Sequence, residues 1–285
     1  MATPQLTVHL GPYTVAAATG FGPRLLSLSH KDGPEMFAHL ADDAVIERHP
    51  GGEVYRLHGG HRLWAAPEVP SITYAPDEHA CDVVTGPGTI SIAAPTDRAG
   101  LAKRLVISLD GDRLVVDHYL TNRRNEPLAI APWGISQLRL GGTALLPVAP
   151  AATDDDLLAD RSLVLWPYSN LGDPRLSLTE HAVVAEATPG PRLKLGSGPN
   201  PGQLGYLFEG FLFTKQVTPA TTGTYADRGA VGQVFIDEIC CELESLGPLT
   251  TVETDATIAH TEVWEVSPCP DLAEARRRVA GDPTP

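Results

Sequence analysis

Apolar and polar positions along this chain change over in short runs, and the three-to-four spacing of an amphipathic helix is scarce. Runs rich in β-branched and aromatic residues, bounded by Gly, Pro, Asn or Asp, predict strands at Arg24–Ser29, Ser71–Tyr74, Thr89–Ala93, Ala102–Leu109, Arg113–Thr121 and Leu128–Leu138. Further strands are predicted at Ser162–Trp166, Leu204–Phe208, Phe211–Gln216, Gly232–Ile236, Ile239–Leu246 and Thr257–Val266. Asp110-Gly111-Asp112 separates two of them, and Asp-Gly supplies the positive φ angles of a tight hairpin turn. Asn122-Arg123-Arg124-Asn125-Glu126-Pro127 reads as a polar loop between two long strands. The one helix expected runs from Asp271 to Ala280, opened by Pro270 and closed by Gly281.

The 27 glycines and 26 prolines are scattered, so turns recur roughly every ten residues, as in chains of many short strands. No repeat of solenoid period and no dividing linker is present. Such strands must bury their sheets against one another. The expectation is an all-β fold, a large antiparallel sandwich or barrel spanning residues 1–268, with a C-terminal helix and tail over 269–285.

Composition narrows the function classes. Apolar residues make up 42% of the 285, enough for a large core, and no run approaches the eighteen or so needed for a membrane span. The start has neither a basic nor a long apolar region of secretory type, so a cytoplasmic protein without a membrane partner is expected. A formal charge of −14 repels a phosphate backbone and argues against nucleic acid. Cys81, Cys240, Cys241 and Cys269 lack metal or CxxC spacing and read as buried small hydrophobes.

The densest chemistry lies in Arg56-Leu57-His58-Gly59-Gly60-His61-Arg62-Leu63-Trp64-Ala65-Ala66-Pro67-Glu68. The paired glycines suit a turn. His58 and His61 titrate near neutrality, Arg62 offers a rigid fork of donors, Trp64 a flat platform for a sugar ring, and Glu68 a carboxylate. A second set is Glu242 and Glu244, which share one face of a strand, where one carboxylate is suited to general base work.

Lys215, after the aromatic run Phe211-Leu212-Phe213, reads as a site cation or a surface gatekeeper, with Tyr225 and Asp227 as further contacts. In the aromatic loop Trp166–Arg175, Asp173 and Arg175 are expected to pair. Trp133 reads as core and Gln137 as a hydroxyl contact. His58, His61 and Glu68 also make a two-His, one-carboxylate set, but His-x-x-His does not put both side chains on one face of a strand, and neither metal nor cofactor is expected.

Leu57-His58-Gly59-Gly60, a late Leu243-Glu244 pair followed by Pro248, and the motifs Ala131-Pro132-Trp133-Gly134-Ile135, Trp166-Pro167-Tyr168 and Phe213-Thr214-Lys215 together resemble the galactose mutarotase, or aldose 1-epimerase, superfamily, in a bacterial branch. The resemblance spans roughly residues 20–266. It implies a β-supersandwich fold and an isomerase that opens, rotates and recloses a sugar ring. By motif, it gives Glu244 the part of general base and His58 an assisting part. Trp133 stands where the family's acid histidine is expected, which leaves His61 as the best substitute acid, with Lys215 or Tyr225 next.

Three readings follow. The first is an aldose epimerase or mutarotase with a Glu base and a His acid, acting on a small-molecule substrate, a carbohydrate. The second is a non-catalytic carbohydrate-binding domain. The third is a small-molecule isomerase or cyclase of specialised metabolism using the same cleft, which the aromatic supply of Trp64, Tyr74, Trp133, Trp166 and Tyr168 would suit.

Overall fold

A computed structural model of the chain describes residues 4–148, 161–198, 203–220 and 222–280. Two ten-stranded antiparallel sheets face each other. The first runs Gln5–Leu10, Tyr13–Ala18, Arg24–His30, Gly60–Ala66, Leu128–Leu138, Cys241–Leu246, Gly232–Ile236, Leu193–Ser197 and Leu163–Leu165, with Thr250–Val252 pairing the start of Leu128–Leu138. The second runs Leu176–Leu178, Ala182–Glu186, Thr143–Pro147, Gln203–Phe208, Phe211–Val217, Thr257–Pro268, Arg113–Asn122, Leu101–Asp110, Thr89–Ala93 and Asp82–Gly86.

Between them lies the core, in which Leu25, Leu63, Leu243 and Ile236 of the first sheet meet Ile107, Val116, Phe213 and Trp264 of the second. Strands of the second sheet such as Arg113–Asn122 alternate buried and half-exposed residues, so they pack on one face. The middle strands Gly60–Ala66 and Cys241–Leu246 of the first are buried at every residue. The outer face of that sheet is therefore covered as well, and polar side chains on it are taken out of water.

Local chemistry accounts for the connections. Asp110 pairs Arg113 around a two-residue turn in which Gly111 has φ +60°, the hairpin expected from Asp-Gly. The polar loop after Asn122 crosses between sheets, and the Asn122 amide pins it by donating to the carbonyls of Glu126 at 2.9 Å and Val252 at 2.8 Å. The C-terminal helix, Leu272–Ala280, starts where Asp271 Oδ1 accepts the Glu274 N–H at 2.8 Å, and it docks Ala275 and Val279 on Leu145, Val184 and Leu212. Gly281, expected to close it, and the tail beyond lie outside the described residues. Among the described residues no helix is long and apolar enough to cross a membrane.

Three local expectations need correction. Ser71–Tyr74 is not a strand: Pro70–Thr73 form one helical turn, because Pro70 has no N–H for a ladder and fits a first helical position. Ile239–Leu246 becomes a strand only at Cys241, since Asp237 Oδ1 accepts the N–H groups of Ile239 and Cys240 and holds a turn there. The segment read as a Gly-Gly turn is the entrance to the strand Gly60–Ala66. Gly59 at φ +91° and Gly60 at φ +73° make the bend, and a Cβ on either would run into a carbonyl, that of Ala38 or of Leu25.

Candidate functional site

Strand alternation sorts the chemistry of the first sheet onto two faces. Register sets Trp64 beside Trp133, Arg62 beside Ile135, Gln137 beside Glu242 and Glu244 beside Gln233, and all of these point to the outer face. Lys194, on Leu193–Ser197, joins them from beyond the Gly232–Ile236 strand. Glu242 and Glu244 do share one face, as their spacing predicts.

Glu244 is the centre of this face and is fully buried. Its Oε2 accepts from the Trp133 indole N–H at 2.8 Å and from Lys194 Nζ at 2.8 Å. Its Oε1 has no partner among the described residues. Burial pushes the Glu244 carboxyl up to about 7, against the pull of Lys194. The Lys194 ammonium lies 4.7 Å from the ring of Trp133 and 4.7 Å from that of Trp166.

Alongside, Glu242 Oε1 accepts from Arg62 Nη2 at 3.1 Å and from Gln137 Nε2 at 2.9 Å, while the Arg62 guanidinium stacks 4.0 Å from the Trp64 ring. Gln233 Nε2 donates to Asp227 Oδ2 at 2.9 Å. Tyr55, Tyr74 and Ala226 pack over Trp64 and Trp133, with the half-buried Tyr225 against them. Beneath this cover, Arg62 Nε and Nη1, Trp64 Nε1, Gln137 Oε1, Gln233 Oε1 and Glu244 Oε1 are buried polar atoms without partners among the described residues. Buried polar groups are normally paired, so these six unpaired atoms, donors and acceptors together, set this face apart from the rest of the sheet.

The other expected residues lie at the rim or on the far side. His58, at φ +54°, stacks 3.8 Å from the Phe21 ring and pairs with Glu78 Oε1 at 2.7 Å, outside the hydrogen bonds around Glu244. Glu68 accepts from the Tyr74 hydroxyl, and Tyr225 takes the Ala220 N–H on its hydroxyl at 2.8 Å. Asp173 and Arg175 pair with each other, through 2.9 and 2.7 Å bonds. His61 and Lys215 do not join the face of Glu244, because His61 alternates with Arg62 and Lys215 comes from the opposite sheet. Both sit between the sheets.

There they form a closed network. His118 Nδ1 lies 2.9 Å from the His260 carbonyl and must donate to it, so the neutral ring accepts at Nε2. His61 Nε2, 2.7 Å away, then carries the proton, and His61 Nδ1 accepts from Ser136 Oγ at 2.9 Å. Glu262 is held by Lys215 at 3.1 Å, by the Trp264 indole at 2.7 Å and by the Ser245 hydroxyl, which in turn accepts from His260 Nε2 at 2.7 Å. Burial works to raise the Glu262 carboxyl, but the opposing pull, led by the Lys215 ammonium, holds the group well below the usual range.

His61, His118 and Glu262 offer ligand atoms within 4.8 Å of one another. The set does not suit a divalent cation, because Lys215 already neutralises Glu262 and two further charges would stand in a buried core. His58 and Glu68, the other members of the set weighed from sequence, point elsewhere.

Lys194 and Gln233 were not singled out from sequence. The signal for Lys194 was the lone cation within Leu193-Lys194-Leu195-Gly196, a strand-like run in which a charge implies a partner.

No family model matches the chain, and no curated protein matches its sequence. Solved structures do match in shape. A galactose mutarotase-like protein from Lactobacillus casei superposes with a TM-score of 0.54 at 12% identity, over 92% of this chain and 100% of the other. A candidate aldose 1-epimerase from Escherichia coli K12 gives 0.56 at 12% identity, over 94% and 100%. The same architecture occurs within a longer TPR-domain containing protein from Parabacteroides distasonis, with a TM-score of 0.56 at 9% identity, over 92% of this chain and 47% of that one. At these identities the likeness is one of architecture, and by it the chain has the galactose mutarotase-like β-supersandwich fold.

Proposed function

We propose that this protein acts on a sugar or sugar-like ring by proton transfer, as an isomerase of the aldose epimerase or mutarotase type, with Glu244 as the general base. The observation that carries the reading is Glu244 itself: a fully buried carboxylate with one oxygen held by two donors and the other unpartnered, on a face of orphaned donors and acceptors. A carboxyl near 7 is matched to giving and taking protons at neutral pH. Arg62, Gln137, Gln233 and Glu242 are suited to ring hydroxyls, and Trp64 and Trp133 to the apolar face of a ring. The shared fold is in keeping with this reading and does not by itself carry it.

The test is anomer exchange by NMR across free, acidic and phosphorylated aldoses. Acceleration of one sugar, lost on Glu244→Gln, is expected; no acceleration across the panel counts against catalysis. Trp133 in place of an acid histidine favours a second reading, a carbohydrate-binding domain without turnover. Titration calorimetry showing binding to a sugar that is not turned over would select it.

A further inference from the structure

We propose that Lys194 is the catalytic acid of this site and works with Glu244 as a single proton-exchanging pair, an assignment that rests on the proton-transfer reading above. Lys194 Nζ is 2.8 Å from Glu244 Oε2, and both side chains are buried beneath the covered face. Ring opening of an aldose needs a base at the anomeric hydroxyl and an acid at the ring oxygen. These two oxygens are bonded to the same carbon, so acid and base must themselves be neighbours. Lys194 and Glu244 meet that requirement.

The competing acids are placed elsewhere or lack a proton to give. His61 is sealed between the sheets in a network that fixes its protons, and His58 is engaged by Glu78. The Trp133 indole donates a hydrogen bond but does not ionise in the range of enzyme chemistry. Lys215 spends its ammonium on Glu262 and on the carbonyls of Gly134 and Leu243.

The exchange balances. Glu244 Oε1, the unpartnered oxygen, takes the proton of the anomeric hydroxyl, and the O–H electron pair becomes the C=O bond of the open-chain aldehyde. The bond from the anomeric carbon to the ring oxygen breaks, and its electron pair takes a proton from Lys194 Nζ. The aldehyde group rotates and the ring recloses on its other face, returning one proton to Lys194 and one to the new anomeric oxygen. The pair starts as carboxylate and ammonium and passes through carboxylic acid and amine, so its net charge stays zero throughout. In a buried site that neutrality matters, because a lone charge there is costly. The flanking rings of Trp133 and Trp166 hold the lysine in place.

The experiment takes the sugar accelerated by the wild type, follows its rate against pH and temperature, and repeats this for Lys194→Arg and Lys194→Met alongside sugar binding by calorimetry. Arginine keeps the charge and the ion pair but does not release its proton. The expected result is a bell-shaped profile for the wild type, with an alkaline limb showing the large ionisation enthalpy of an ammonium group. Lys194→Arg should bind the sugar as the wild type does and lose about 100-fold or more in turnover, the usual weight of a general acid.

Retained turnover in Lys194→Arg, or an alkaline limb with the small enthalpy of a carboxylate, overturns the proposal. The limb is read on the wild type, so the test holds even if both variants fail to fold. A wild type that accelerates no sugar sinks the proton-transfer reading and this assignment with it. An active wild type with an equally active Lys194→Arg sinks this assignment alone.

Discussion

The Trp133 indole donates to Glu244 Oε2 at 2.8 Å from the neighbouring strand of the same sheet. The residue standing where a histidine acid was expected is thus a fixed donor to the base. It stabilises the charged carboxylate and, with Lys194, occupies Oε2, leaving Oε1 without a partner among the described residues.

Trp133→Phe should therefore raise the Glu244 pKa above about 7, because a hydrogen bond to the charged form is removed. With roughly 1.5 kcal/mol for a bond to a charged group, the shift is about one unit. A carboxyl carbon titration by NMR, or the acid limb of the rate profile, measures it. A downward shift would contradict the role assigned to the indole.

Glu244→Gln should lower stability by about 3–5 kcal/mol at pH 8, since it strands the Lys194 ammonium in a buried site. Adding Lys194→Met should recover most of that loss, because the double variant contains neither charge. Denaturant unfolding of the two single variants and the double closes the cycle. Additive losses would mean that the two groups are not coupled.

Acid should destabilise the protein from near pH 6.5 downward. Burial holds His61, His118 and His260 below their ordinary values, His260 at about 3, so near pH 6.5 and below the unfolded chain takes up protons more readily than the folded chain does at these groups. Glu244 opposes this, since the folded state keeps its proton up to about 7 while an unfolded carboxyl releases it near 4.3. Three histidines against one carboxyl leave a net uptake of protons on unfolding, so stability falls as the pH drops from about 6 to 5. Below about 4.3 Glu262, held down in the fold, adds to the loss. A urea midpoint that stays level from pH 7 to 5 would refute this balance.

Gly60→Ala and Gly52→Ala form a matched pair, with φ at +73° and +72°. A Cβ at Gly60 runs into the Leu25 carbonyl, whereas at Gly52 nothing lies within 4 Å. The expected costs are about 3 kcal/mol or more at Gly60 and about 1 kcal/mol at Gly52. Equal melting temperatures for the two variants would show that the close approach of Leu25 does not hold the strand entrance in place.

Much of the fold was legible because strand signals are local. The runs Arg113–Asn122 and Thr257–Pro268 alternate in burial as their side chains alternate in character, and Asp-Gly marks its hairpin. The Arg56–Glu68 segment was legible as chemistry and misread as geometry. Paired glycines signal a turn, and nothing within the segment says that a fully buried strand starts at the second glycine. Once it does, alternation sends Arg62 and Trp64 to one face and His61 to the other.

By itself the sequence determined the all-β architecture, the shared face of Glu242 and Glu244, and the terminal helix, because each depends on the spacing of residues close along the chain. Only the tertiary structure decided what surrounds Glu244. Lys194 and Trp133 are 50 and 111 residues from it, and they reach it because strand order and register bring distant segments into one sheet. The same pairing closed His61 and Lys215 between the sheets. Which face of a strand becomes interior depends on what packs against it, and that is not encoded in the strand alone.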